Sequence, residues 1–128
     1  MTEALPVLYL AGPMSGLPES NYPAFHAAAA SLRRAGFEVL NPAENRAPSP
    51  EPEWSDWMRL ALGQLIRADG VAFLTGAGNS RGAALEMKLG DALGMEVRPW
   101  RAWITKQRQD AYMARLLEST TQRDGASK

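Results

Sequence analysis

Three short apolar runs limit what this chain can fold into. Residues 6–11 (PVLYLA), 37–42 (FEVLNP) and 70–76 (GVAFLTG) are rich in branched and aromatic side chains, and each is halted by glycine or Asn-Pro. Apolar residues run through them with little alternation, as in strands buried on both faces. Between and after them lie helical patterns over residues 23–34, 55–68 and 80–94. A weaker fourth strand, MEVRPW at 95–100, and a last helix over 106–118 complete the order. Strands alternating with helices predict right-handed crossovers and a parallel sheet covered on both sides.

Local residues support these boundaries. Pro23 suits a first helical turn, where its missing N–H costs nothing, and Gly36 closes that helix. Ser55 and Ser80 are the expected N-caps of the second and third helices, and Gly94 ends the third. In the second, Trp57, Leu60, Ala61, Gln64, Leu65 and Ala68 share one stripe. The proline-rich stretch AENRAPSPEPEWS reads as a loop, and the polar end TTQRDGASK as a segment that frays. The expected organisation is one domain over residues 1–105, followed by a C-terminal helix and disordered tail over 106–128.

Composition removes several classes of function. With 128 residues, 45% hydrophobic and 22% charged, the chain suits one domain with a real core. Fourteen Lys and Arg balance fourteen Asp and Glu, so no global field favours nucleic-acid polymers or membranes. There is no cysteine, which excludes disulfides, thiolate catalysis and cysteine-held zinc. Glu3 near the N-terminus and the lack of a long apolar stretch make a soluble, cytoplasmic protein the expectation.

In doubly wound sheets, ligands sit beyond the carboxyl ends of the strands. Gly12, Pro13, Met14, Ser15 and Gly16 lie at that edge after strand one, as do Asn41 after strand two and the Thr75–Arg81 loop after strand three. A helix rather than an antiparallel strand follows Gly16, so this loop reads as a ligand loop and not a hairpin corner. In TGAGNSRGA the glycines let the backbone come close to a bound group. Ser80, Arg81, Gly82 and the helix start form a natural anion site. The glycine spacing is wrong for a dinucleotide fingerprint, and no phosphate-loop lysine motif is present.

Glu86 is the most informative side chain. On a helical wheel advancing about 100° per residue, it shares a face with Gly82, Ala83, Leu89, Gly90 and Leu93. An unpaired charge on an apolar face is expensive. Either Glu86 is solvated at the edge of that stripe, or it is a ligand-holding carboxylate one turn inside a pocket; the small neighbours favour the pocket. Tyr9, on the first strand, and Tyr22, beside the first loop, join the candidate binding residues. Phe25 borders the same loop, and Trp54 and Trp57 flank the second helix as pocket wall or core. His26, the lone histidine, reads as a surface or packing residue, and Asp69 as a turn residue at the far edge.

The stretches YLAGPMSGLPESNYPAFHAAAASLRRAGFEVLNPAE and RADGVAFLTGAGNSRGAALEMKLGDALGMEV resemble the nucleoside 2-deoxyribosyltransferase-like superfamily, and within it the DUF4406 branch. The resemblance spans roughly residues 8–97. It implies a flavodoxin-like three-layer sandwich with a parallel sheet of four strands, a fifth being left open. It also implies a site for a nucleoside or nucleoside 5'-monophosphate, with no cofactor and no metal. The implied reaction is cleavage or exchange of the N-glycosidic bond, with Glu86 attacking the anomeric carbon. Ser80 and Gly82 match phosphate-holding positions, and the loop from Gly12 to Gly16 matches the sugar and base cradle. Homodimerisation is implied as well, and four tryptophans in a small chain fit a covered aromatic surface.

One departure stands out. Counting back eight residues from Asp69, where the resemblance implies an aspartate that assists the leaving base, gives Ala61. Such a proton route is worth about 10²–10⁴ in rate. Asp56, in the first turn of the same helix, is the candidate replacement, with Arg59 and Glu44 behind it. Two functions are therefore expected in order: a nucleoside or nucleotide N-glycosidase or transferase, then a nucleotide-binding or sensing module that has lost turnover. A scaffold on the same fold stands third, because fold alone does not transmit function.

Overall fold

The computed structural model describes residues 4–126, with side chains as far as Ser119. The order is β1 (Val7–Ala11), α1 (Tyr22–Arg34), β2 (Glu38–Leu40), α2 (Trp54–Leu65), β3 (Gly70–Phe73), α3 (Arg81–Ala92), β4 (Glu96–Pro99) and α4 (Trp100–Ala126). The four strands form one parallel sheet in the order β2-β1-β3-β4. The chain winds outward from β1 in one direction through β2, and from β3 in the other through β4. This is the flavodoxin-like winding, with its switch point between β1 and β3.

Alternation along β1 separates two cores. Leu8 and Leu10 face α1 and α4, joining Phe25, Ala28, Ala29, Leu32, Trp103 and Ile104. Tyr9 and Ala11 face α2 and α3, joining Ala61, Leu65, Ala68 and Val71. Trp103 donates its indole N–H to the Val71 carbonyl at 3.0 Å and packs edge-on to Phe37, fastening α4 to the sheet. On the other side α3 lies hard against β3. A Cβ on Gly90 would come within 2.8 Å of Val71 Cγ2, so only glycine allows that approach. Close docking there fixes the height of Glu86, one turn earlier on α3.

The edges are modest. β2 has only three residues, and β4 carries Glu96, Arg98 and Pro99, with Arg98 paired to Glu96 at 2.7 Å. Asp69 ties β3 to β1: its Oδ2 accepts from the Val7 N–H, and its own N–H donates to the Val7 carbonyl, both at 2.8 Å. Among the described residues, no helix is long and apolar enough to cross a membrane.

The bounds of α2 and α4 differ from the expectation. α2 starts at Trp54, not Ser55, because Glu53 is the N-cap and forms a capping box with Asp56. α4 starts at Trp100 directly after β4 and runs to Ala126, through most of the segment expected to fray; residues 127–128 lie outside the described chain. No fifth strand occurs among the described residues.

Candidate functional site

A cavity of about 920 Å³ opens at the carboxyl end of the sheet, over the β1/β3 switch point. Gly12, Pro13, Met14 and Ser15 form one wall, and Thr75, Gly76, Asn79, Ser80, Arg81 and Gly82 another. Trp54, Trp57, Met58 and Ala61 of α2 face them, Tyr22 and Phe25 of α1 close a side, and Tyr9 and Glu86 lie within.

Local backbone chemistry shapes these walls. Gly12 has no room for a side chain, since a Cβ would meet the Leu74 side chain at 2.7 Å. That contact joins the two loops at the switch point. The first loop then turns at Gly16, with φ +80°, and passes through left-handed backbone at Glu19, Ser20 and Asn21. Non-glycine residues rarely hold that conformation, and runs of it collect at ligand sites. Asn21 Nδ2 donates to the Pro13 carbonyl at 2.9 Å, holding the loop against the start of α1.

Glu86 is the buried charge of the site, only 6% exposed. Its Oε2 accepts a hydrogen bond from the Tyr9 hydroxyl. Tyr9 reaches it because strand alternation turns that ring toward α3 while Leu8 and Leu10 face the other way. Burial pushes the Glu86 carboxyl up from its ordinary 4.5 to about 7, and the Tyr9 hydrogen bond partly restrains that rise. Burial, then the neighbouring Glu86 charge, pushes the Tyr9 phenol well above its usual value. Among the described residues no cation forms an ion pair with Glu86. The side chain is therefore a desolvated carboxylate poised to ionise near neutrality.

The start of α3 supplies the opposite character. Ser80 caps the helix by accepting from the Ala83 N–H, and the remaining first-turn N–H groups lack helical partners. The Arg81 guanidinium lies over the Trp54 ring, 3.9 Å from its centroid. Gly82 faces Met58 and Trp54, where a Cβ would crowd Met58 Sδ at 3.2 Å. This corner suits an anion.

Of the residues singled out in the sequence, Tyr9, Gly12, Pro13, Met14, Ser15, Tyr22, Ser80, Arg81, Gly82 and Glu86 all line the one cavity. Three do not. Gly16 is the turn residue just beyond it. Asn41 is buried, accepts from the Ala43 N–H at 3.0 Å and meets His26 Nδ1 at 3.3 Å, so it holds the loop after β2. Asp56 accepts from the Glu53 N–H at 2.9 Å and caps α2 from outside the cavity. Neither reserve candidate lines the cavity either. Glu44 is held by both guanidinium nitrogens of Arg33 at 2.8 and 2.9 Å, and that bonding draws its carboxyl below the usual range. The sequence reading left Trp54 and Trp57 between wall and core and did not place Asn45, Asn79 or Met58 in the site. Both tryptophans lie in the first turn of α2 at the ligand edge, and both line the cavity.

Fold and cavity together define a doubly wound α/β domain with a cavity at its switch point. The domain-of-unknown-function model DUF4406 matches residues 6–98, which takes in β1 to β3, all of β4 but Pro99 and every residue lining the cavity, and the chain belongs to that family. No curated protein matches it.

Proposed function

We propose that the chain cleaves or exchanges the N-glycosidic bond of a nucleoside 5'-monophosphate or nucleoside, with Glu86 as the nucleophile. One observation carries the reading: a buried carboxylate, with no countercharge among the described residues, lines an aromatic cavity that also takes in Ser80, Arg81 and the start of the same helix. Along α3, residues 81 and 86 are separated by about 7.5 Å of helix rise, a span suited to a sugar phosphate. A 5'-phosphate would sit on Ser80, Arg81 and the α3 N–H groups, and the sugar would extend toward Glu86. The base would lie between the Gly12–Ser15 wall and the aromatic side chains.

In this reading a Glu86 oxygen bonds to the anomeric carbon as the C–N bond breaks, and the bond pair leaves with the base. Water, or a second base, then takes the sugar and restores the carboxylate. A developing oxocarbenium centre brings positive charge beside a carboxylate that has no ion-pair partner among the described residues, which favours the ionised form of Glu86. The Tyr9 hydroxyl orients the carboxylate and gives up its bond as the ester forms. Self-association belongs to the same proposal and is read by sedimentation velocity.

The experiment is a panel of nucleosides and 5'-monophosphates incubated with purified protein, with free base measured by chromatography. Wild type should release base from at least one compound, and Glu86→Gln should bind that compound without releasing base. A wild type that binds nucleotides yet releases nothing would sink the nucleophile assignment. The second reading, a nucleotide-binding module without turnover, would then stand. It is favoured by the lack of a second carboxylate among the described residues of the cavity wall, where Ala61 faces the ligand space.

A further inference from the structure

We propose that the leaving group is a cationic nitrogen heterocycle: a pyridinium, or a purine alkylated on its ring nitrogen, attached to the sugar phosphate. This rests on the glycosidic reading above and narrows its substrate class.

The first argument is proton supply. Hydrolysis of an ordinary glycosidic bond employs two carboxyl groups, one attacking or guiding water and one protonating the departing atom. Here Glu86 is the lone carboxyl group among the described residues lining the cavity. Tyr9 already donates to Glu86, and its phenol is held well above its usual value, so it is a poor proton donor to a base. The other cavity hydroxyls are alcohols or a phenol, and the Arg81 guanidinium does not release a proton. A neutral base leaving this site would depart as an anion. A cationic base needs no proton, because the C–N electron pair simply neutralises its ring.

The second argument is recognition. A desolvated carboxylate with no ion-pair partner is costly by itself and becomes favourable when a cation arrives. Tyr22 and Trp57 line the same space, and aromatic faces attract a flat cation. Arg81 does not meet this need, since it is stacked on Trp54 at the anion corner. The cavity is thus dipolar, positive at the phosphate end and negative at the base end, and complements a zwitterionic nucleotide.

The step balances. A Glu86 oxygen bonds to the anomeric carbon, the C–N bond breaks, and its electron pair leaves the heterocycle neutral. Water then adds to the anomeric carbon, the ester oxygen departs as carboxylate, and one proton passes to solvent.

The test compares matched substrates: 7-methylguanosine 5'-monophosphate against guanosine 5'-monophosphate, with nicotinamide mononucleotide as a second cationic case. We expect kcat/KM for the cationic compounds to exceed that for the neutral one by about 10²-fold or more, the usual worth of a general acid. Ala61→Asp should shrink that ratio by raising turnover of the neutral compound. Binding gives an arm without chemistry: tryptophan fluorescence should report 1-methylnicotinamide binding about tenfold tighter than nicotinamide, and Glu86→Gln should erase the preference. Equal turnover of charged and neutral substrates would overturn this inference and leave the glycosidic reading standing. Binding of every nucleotide without release from any would overturn both.

Discussion

The two faces of the sheet are built from neighbouring residues of the same strands, yet they end differently. On the α1/α4 face, Leu8, Leu10, Leu32 and Trp103 fill the interior. On the α2/α3 face Ala61, Gly82 and Ala83 are small and leave space that the larger Trp54, Trp57 and Met58 enclose without filling, and that space is part of the cavity. A polar residue is buried on each side. Asn41 bonds to the Ala43 N–H of its own loop and meets His26, whereas Glu86 has one hydrogen bond and no countercharge among the described residues. Packing economy explains the first face. The second keeps a costly group beside an incompletely filled space.

That contrast can be broken by mutation. The largest effect belongs to Glu86→Gln, which should lower base release by about 10³-fold or more while leaving the melting temperature at or above that of wild type. Loss of folding on this change would place Glu86 in the structural class with Asn41. Next comes Trp103→Ala, on the filled face, which should cost about 3–5 kcal/mol in denaturant unfolding. A smaller cost would mean that α4 is weakly held.

The third prediction concerns pH. Below pH 4.5 Glu86 is protonated in folded and unfolded chains alike. Between 4.5 and about 7 the folded chain keeps a proton that the unfolded chain has lost, so its contribution to stability falls as pH rises. Above about 7 the full cost of burying the charge is felt, about 3 kcal/mol. The stability difference between wild type and Glu86→Gln should trace this slope across pH 4.5–7, and a flat difference would contradict the burial argument. Tyr9→Phe sharpens it: the lost hydrogen bond lets the carboxyl rise above 7, and a carbon NMR titration of Glu86 reads the direction. The smallest effect is expected for Asp56→Ala, about 1 kcal/mol from the lost cap with kcat nearly unchanged. A large kcat loss at normal stability would return Asp56 to the proton-donating role suggested by sequence.

Much of the fold was legible because its signals are local. Buried strands read as apolar runs, and their order implied the parallel sheet. Glu86 was legible because wheel position alone set a charge among small residues. Cap competition was not: Glu53 starts α2 before Ser55 because its side chain and Asp56 satisfy each other's backbone N–H groups. That reciprocal bonding also takes Asp56 away from the cavity. Asn41 lies at the ligand edge of its strand, yet its side chain bonds within its own loop and to His26. α4 was shortened because its polar second half offers no apolar period, although its first turn is pinned by Trp103.

The narrow outer strands have a consequence for assembly. A three-residue margin on one side and a proline beside an ion-paired Glu-Arg on the other give an incoming chain little backbone to zip onto. Edges so short disfavour edge-to-edge polymerisation and fibre growth.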